Sequence, residues 1–319
     1  MKVDAVIPAY KPGHDLRELV EKLLDQTVRL GRIIIINTDR EYFDEKEYLI
    51  APAVEVVHIT RHEFDHAGTR DMGLRMSDAD YVLFMTMDAI PKDNYLVEKL
   101  LSGFRRADNI AVSYARQLPK KDCNRIEQIT REFNYPAQSR VQTSDDIKEL
   151  GIKAYFCSDV CAMYDTSIYR SLGGFKAPAI FNEDMVYAAG ALDAGYAVSY
   201  CADALVYHSH NYTGRQYYRR NFDLGVSQAD HPEIFERFNV KGTGMQLVRK
   251  SLAQICRSGT PADIIRLVYY SGMKYLGFRK GKNYHKLSLK SCLKHTSDKE
   301  YWNLSLIHIS EPTRLRCIS

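Results

Sequence analysis

Four short apolar runs, each bounded by turn-forming residues and followed by a helical pattern, constrain the first 230 residues more than any other feature. The run Val3-Asp4-Ala5-Val6-Ile7 stops at Pro8, and Leu16, Leu19, Val20, Leu23 and Leu24 follow at helical spacing. Ile33-Ile34-Ile35-Ile36, Val54 to Ile59 and Tyr81-Val82-Leu83-Phe84-Met85 repeat the pattern, with a Gly-containing segment over 66–76 and a helix-like segment over 95–104. Continuous β-branched runs separated by amphipathic helices predict an α/β fold whose parallel sheet is covered on both faces. Ligands of such sheets bind at the carboxyl ends of the strands. The residues after each run, Pro8-Ala9-Tyr10, Asn37-Thr38-Asp39 and Thr86-Met87-Asp88, are therefore where chemistry is expected.

Of the 319 residues, 45% are hydrophobic and 26% charged, a globular composition that excludes a disordered chain. No apolar run approaches the roughly 20 residues of a spanning helix, and Met1-Lys2-Val3-Asp4 leads into a strand without a signal-peptide core. A cytoplasmic protein is expected, peripheral on the inner face of the cell membrane if it binds lipid. The seven Cys are odd in number and scattered, which predicts reduced thiols; Cys157 and Cys161 lack the second pair a zinc site needs.

Charge divides the chain. Residues 1–240 carry 29 Lys and Arg against 36 Asp and Glu, whereas residues 241–303 carry 13 against 3. Apolar residues interleave with the cations at helical spacing, so 231–303 is predicted to form a basic extension of amphipathic helices with Lys and Arg on the wet face, following an α/β domain over 1–230. Three readings stay open for that face: an anionic membrane surface, docked through Arg249, Lys250, Arg257, Lys274, Arg279, Lys280 and Lys282; plain packing with a solvated exterior; and nucleic acid, for which no accompanying motif is present. The end of the chain is different. Leu-Ser-Leu-Ile-His-Ile-Ser-Glu-Pro-Thr-Arg over 304–314 resembles the translation of a transposon-end sequencing adapter, and the frame holds to Ile318-Ser319. Residues 304–319 are expected to be a sequencing scar, outside the fold.

Three local patterns carry chemistry. Asp88 ends an apolar strand and precedes Ala89-Ile90-Pro91, which exposes a carboxylate suited to a hard cation. Glu183-Asp184 opens a helical stretch after the loop Gly173-Gly174-Phe175, where Asp184 fits either a general base or a helix cap. His208 and His210 end a strand two residues apart, on one face, as metal ligands or as bystanders.

Taken in order, several motifs resemble the family 2 glycosyltransferases of the GT-A fold, and among them the rhamnosyltransferase-like branch. They are Val6-Ile7-Pro8-Ala9-Tyr10, Glu63-Phe64-Asp65-His66-Ala67-Gly68-Thr69-Arg70-Asp71, Phe84-Met85-Thr86-Met87-Asp88, Ser113-Tyr114-Ala115-Arg116-Gln117, Phe156-Cys157-Ser158-Asp159, Gly173-Gly174-Phe175 with Asn182-Glu183-Asp184, and His208-Ser209-His210. The resemblance implies a mixed, mostly parallel sheet flanked by helices and a nucleotide-sugar donor across its carboxyl edge. By the same likeness Pro8, Ala9 and Tyr10 form a turn that holds the base with Asp39, and Arg70 approaches the diphosphate. Asp88 with His208 would hold Mg²⁺ or Mn²⁺, Asp184 would be the base of an inverting transfer, and Glu183 would orient the site or bind the acceptor. The implied reaction moves a sugar, rhamnose from dTDP-rhamnose, to a lipid-linked saccharide acceptor of a cell-surface or capsular polysaccharide.

Departures from the family pattern accompany the likeness. Thr86 stands where many members carry a first Asp, and Asp71 and Asp159 stand where Asn is more familiar. A sugar-phosphate nucleotidyltransferase is a competing reading, against which Ala9-Tyr10-Lys11-Pro12-Gly13 lacks a Gly-rich basic phosphate loop. A non-catalytic membrane-surface protein of the same fold is another; keeping Asp88, Asp184 and His208 together argues against it.

Overall fold

The computed structural model describes residues 1–237 and 241–303, so the segment expected to be a sequencing scar lies outside the described residues. Nine strands form one mixed sheet: β1 (Val3–Tyr10), β2 (Ile33–Thr38), β3 (Val54–Ile59), β4 (Tyr81–Met85), β5 (Ile90–Pro91), β6 (Ile110–Leu118), β7 (Arg140–Gln142), β8 (Cys161–Asp165) and β9 (Ala197–Tyr207). Their order is β3-β2-β1-β4-β8-β6-β9-β5, with β7 also on β9. The apolar runs make the parallel half, β3-β2-β1-β4. Residues of alternate parity feed separate cores on the two faces, Val6, Ile34, Ile36 and Phe84 on one and Ile7, Ile33, Ile35 and Leu83 on the other. The second face is covered by the helix His14–Leu24, through Leu16, Leu19, Val20 and Leu23.

The sheet corrects two expectations. It is not parallel throughout, because β8 inserts antiparallel between β4 and β6. Nor does Pro8 stop its strand: β1 runs on to Tyr10, paired with β2 to the end. Ala5 N–H donates to Arg32 O on the β2 side, so Pro8, of opposite parity, faces β4, whose pairing with β1 ends at Val6. The missing N–H therefore falls where no ladder bond is due. Antiparallel β8 also has a functional consequence: its amino end, with Asp159 just before it, lies at the edge where β1, β2, β4, β6 and β9 present their carboxyl ends.

The basic extension packs on the rest. Its helix Pro261–Lys282 lies along the helix Gly214–Asp230 so closely that a Cβ at Gly277 or Gly281 would overlap the carbonyl oxygens of Tyr218 or Phe222. Ile255 of the helix Lys241–Ser258 joins Leu267 against Ile126 and Ile129, and Trp302 packs with Ile180, Phe222 and Val226. The wet side of the extension is mixed: Arg249, Lys250, Arg257 and Arg279 are exposed as expected, but apolar residues share the exterior with them. The inner face of Pro261–Lys282 carries Leu267, Gly277 and Gly281, and the outer face carries Ile265, Val268, Tyr275 and Leu276, each more than half exposed, while the Tyr269 ring at the flank lies over Gly214. Two expected lipid contacts also point inward: Lys274 lies 4.4 Å over the Tyr217 ring, and Lys282 Nζ donates to Gln228 O at 3.2 Å. The six described cysteines are free.

Candidate active site

At the β1 and β2 ends, Tyr10 and Asp39 meet as the sequence suggests, but not in a turn. Pro8, Ala9 and Tyr10 are the last residues of β1; Ala9 is buried, while Pro8 and Tyr10 are half-buried, with the larger ring on Tyr10. The Arg61 guanidinium lies 4.3 Å over the Tyr10 ring, Tyr42 stands edge-on at 6.2 Å, and Lys11 Nζ lies 4.0 Å over Tyr42. Asp39 adopts φ +63° and accepts the Arg61 amide at 3.0 Å. Flat rings with two cations and a carboxylate suit a base, its ribose and an adjoining phosphate.

Asp88, following β4, meets both histidines that follow β9. Asp88 Oδ2 is 3.5 Å from His208 Nε2 and 3.3 Å from His210 Nε2, and the two Nε2 atoms are 3.0 Å apart. Ligands at about 2.1 Å from one cation in adjacent positions stand about 3 Å from each other, so the three atoms fit a shared divalent ion. The histidine tautomer is set behind them. Gln117 Oε1 accepts from Arg131, which only donates, so His208 Nδ1–H must donate to that same oxygen at 2.9 Å, leaving the Nε2 lone pair toward Asp88. Burial, reinforced by Arg131, His210, Lys120 and Arg220, holds His208 well below the usual histidine range and hence neutral. Thr86, at the position of the absent first Asp, has a buried hydroxyl with no hydrogen-bond partner.

The third group is a cluster of three carboxylates around one guanidinium. Arg70 is 5% exposed; its Nη1 donates to His66 O and lies 3.1 Å from Glu183, and its Nε faces Asp159 Oδ2 at 3.4 Å. The expected contact of Arg70 with a diphosphate is therefore corrected: its charge is enclosed by carboxylates. Asp159 is explained by the same pairing, with Tyr164 O–H donating to its other oxygen at 2.7 Å. Asp71 is explained by Arg75, which bonds it, by Tyr169 O–H at 3.1 Å, and by Gly174, where a Cβ would press on the carboxylate.

Asp184 is the carboxylate left without the cation. The helix Glu183–Asp193 has Asn182 as its N-cap, at φ +62°, so Asp184 is its second residue and not its cap. Its oxygens accept the amides of Asp159 at 3.1 Å and Met185 at 2.7 Å. Burial, then the charges of Glu183 and Asp159, raises its proton affinity well above that of an ordinary carboxylate. A carboxylate raised in this way is, once ionised, a stronger base toward a hydroxyl proton than an ordinary one.

The Glycosyl transferase family 2 profile matches residues 4–173, more than half of the chain. The chain belongs to glycosyltransferase family 2. This glycosyltransferase is 36% identical over 307 residues to the O-antigen chain rhamnosyltransferase RfbN of Salmonella typhimurium, covering 95% of this chain and 96% of the relative. It is likewise 36% identical to WbaN of Salmonella anatum, covering 93% and 95%. Among solved structures it resembles the mannosyltransferase PcManGT of Pyrobaculum calidifontis, in complex with GDP-Man and Mn²⁺, with a TM-score of 0.58 at 13% identity over 90% of this chain and 88% of that one. S. aureus TarS 1-349 follows with a TM-score of 0.51 at 12% identity, over 90% and 92%. At these identities the structural likeness speaks to the fold, which is the expected GT-A arrangement.

His210, which the i, i+2 spacing offers as a ligand beside His208 but the family likeness does not include, joins Asp88 and His208. Arg220 of this glycosyltransferase gains a place that no sequence pattern assigns. Arg220 sits 5.1 Å from the Tyr212 ring and 5.3 Å from the Phe181 ring, while Tyr212 stacks on His210 at 4.9 Å. It is exposed, and among the described residues no carboxylate lies within ion-pair distance of it, so unlike Arg70 its charge is open to an anion at this edge. Arg220 carries no local sequence signal, because only the packing of the helix Gly214–Asp230 brings it to the edge.

Proposed function

We propose that this glycosyltransferase moves rhamnose from dTDP-rhamnose, with inversion, to a lipid-linked saccharide acceptor in the assembly of a cell-surface polysaccharide. The observation that carries the chemistry is the convergence of Asp88, His208 and His210 with Asp184 on one sheet edge; the choice of sugar rests on the two rhamnosyltransferase relatives. Tyr10, Asp39 and Arg61 hold the nucleoside, and Arg220 faces the diphosphate. Asp88, His208 and His210 would hold a divalent cation, which when bound would supply positive charge to offset that of the departing nucleoside diphosphate. Asp184 takes the proton of an acceptor hydroxyl as that oxygen bonds to the anomeric carbon, on the face opposite the breaking bond to the diphosphate, which leaves with the electron pair. Two imidazoles beside one carboxylate favour Mn²⁺ over Mg²⁺. A donor screen by thermal shift with Mn²⁺ is expected to give its largest rise with dTDP-rhamnose, since a ligand bound at 100 times its Kd adds about 2.7 kcal/mol; a larger rise with a GDP- or UDP-sugar would overturn the choice of donor.

The acceptor's lipid places the reaction at a membrane. No helix among the described residues is long and apolar enough to cross one. The outer face of Pro261–Lys282 supplies surface attachment, with Ile265, Val268 and Leu276 exposed and Arg249, Arg257, Arg266 and Arg279 exposed on the same basic extension. Apolar side chains enter the acyl boundary and each cation near an anionic leaflet adds about 1 kcal/mol. Co-sedimentation with liposomes is expected to require anionic lipid, fall with salt, and be lost in the Val268→Glu, Leu276→Glu double variant. Equal binding to neutral vesicles, or a salt-independent dimer without vesicle binding, would assign the face otherwise.

A further inference from the structure

Beside the Asp184 cluster, and outside the donor edge, lies a cavity of about 530 Å³ walled by aromatic rings. Met185, whose amide donates to Asp184 Oδ1, lines it, so the cavity adjoins the base. Tyr114 and Tyr200 stand 5.0 Å apart in its wall, and Phe156 meets Tyr114 edge-on at 6.0 Å. Hydrogen bonds fix these walls. Tyr114 O–H donates to Gln142 Oε1 at 3.0 Å, Gln142 Nε2 donates to the carbonyls of Ala154 and Phe156 at 2.8 and 3.0 Å, and Tyr200 O–H donates to Pro136 O at 2.7 Å. Largely apolar walls with a few set polar groups, at a volume within about 300–1,000 Å³, describe a small-molecule site.

The rim is cationic. Lys153 Nζ lies 3.9 Å and Lys250 Nζ 5.5 Å from the centroid of the same Phe133 ring. Among the described residues neither lysine has a carboxylate within ion-pair distance; Arg140, also at the rim, is 3.9 Å from exposed Glu149, and Glu132 accepts Gln254 at 3.2 Å. Burial, then the Lys250 charge, depresses the proton affinity of Lys153, so two like charges are held together without a counter-ion. Lys250 belongs to the helix Lys241–Ser258, so the basic extension brings a cation to Phe133 at the cavity's edge.

We infer that this cavity is the acceptor subsite, taking the terminal sugar ring against the half-buried Phe156 and Met185, which the buried Tyr114 and Tyr200 back, and the anionic diphosphate of a lipid-linked acceptor on Lys153 and Lys250. The inference rests on the proposed transfer to a lipid-linked saccharide. Pyranose C–H edges suit the negative faces of aromatic rings, and two ammonium groups suit a diphosphate. It also gives the basic extension a part in acceptor choice, distinct from membrane attachment.

The test compares alkyl-diphosphate-linked hexoses with the matching neutral alkyl hexosides, using full-length wild type and the Lys153→Gln, Lys250→Gln double variant. Calorimetry reads acceptor binding without turnover, and transfer assays read KM. Wild type is expected to bind the diphosphate series at least about tenfold more tightly, and the double variant to lose that preference while its donor affinity stays unchanged. Phe133→Leu is expected to weaken the same preference by loosening the two lysines. If wild type transfers sugar and the double variant keeps both its diphosphate preference and its acceptor KM, the subsite is elsewhere and the transfer reading stands. If wild type binds dTDP-rhamnose but neither acceptor series, the acceptor assignment falls with the subsite.

Discussion

Asp184→Asn is expected to lower kcat by about 10²- to 10⁴-fold, the usual contribution of a general base, while dTDP-rhamnose affinity changes little. An amide cannot take the acceptor's proton, yet its oxygen can still accept one of the two amides that hold Asp184 in place. Stability should not suffer, because the substitution removes one negative charge from a buried group of three carboxylates served by one guanidinium. The pH profile gives a second signature. The base works only when ionised, so kcat/KM falls as pH drops through its pKa, and burial with Glu183 and Asp159 places that acid limb above the ordinary carboxylate range. Glu183→Gln removes a neighbouring negative charge, makes ionisation of Asp184 easier and should move the limb to lower pH. Unchanged turnover in Asp184→Asn with a lowered Tm would instead make the residue a structural acceptor of backbone amides.

Asp88→Ala is expected to abolish cation-dependent donor binding, because it deletes the one carboxylate among the three facing ligand atoms. Gln117→Leu, which frees the tautomer of His208, should weaken it by about 10- to 100-fold, and His208→Ala and His210→Ala, which delete a ligand outright, should each cost more. Restoration by Mn²⁺ should exceed restoration by Mg²⁺ in the histidine-intact protein and should narrow once an imidazole is removed. If calorimetry shows the same donor affinity with and without divalent cation in wild type, Asp88, His208 and His210 are not a metal centre.

Much of this arrangement is legible in the chain because parallel strands covered on both faces must be apolar throughout. Ile33-Ile34-Ile35-Ile36 and Val54 to Ile59 announce themselves, and the residues after them fall at the binding edge. Asp88 and His208 follow from the same rule. What the chain hides is set by contacts between distant segments. The insertion of antiparallel β8 beside β4 brings Asp159 to Arg70, and no local pattern near Arg70 shows that its charge is taken. Pro8 reads as a strand end until the early divergence of β4 from β1 is seen. The helix Pro261–Lys282 is apolar on two faces, and periodicity alone does not choose which is covered; the close approach allowed by Gly277 and Gly281 decides it and leaves Ile265, Val268 and Leu276 outside.

The most direct measurement incubates the protein with dTDP-rhamnose and a lipid-linked acceptor, follows nucleoside diphosphate release and acceptor mass, and repeats both after chelation and in the Asp88→Ala and Asp184→Asn variants. The account predicts dTDP release matched by one rhamnose added to the acceptor, lost on chelation and restored by Mn²⁺, with both variants silent. Transfer that survives chelation and both substitutions, or pyrophosphate release from dTTP and a sugar phosphate in place of sugar transfer, would contradict it.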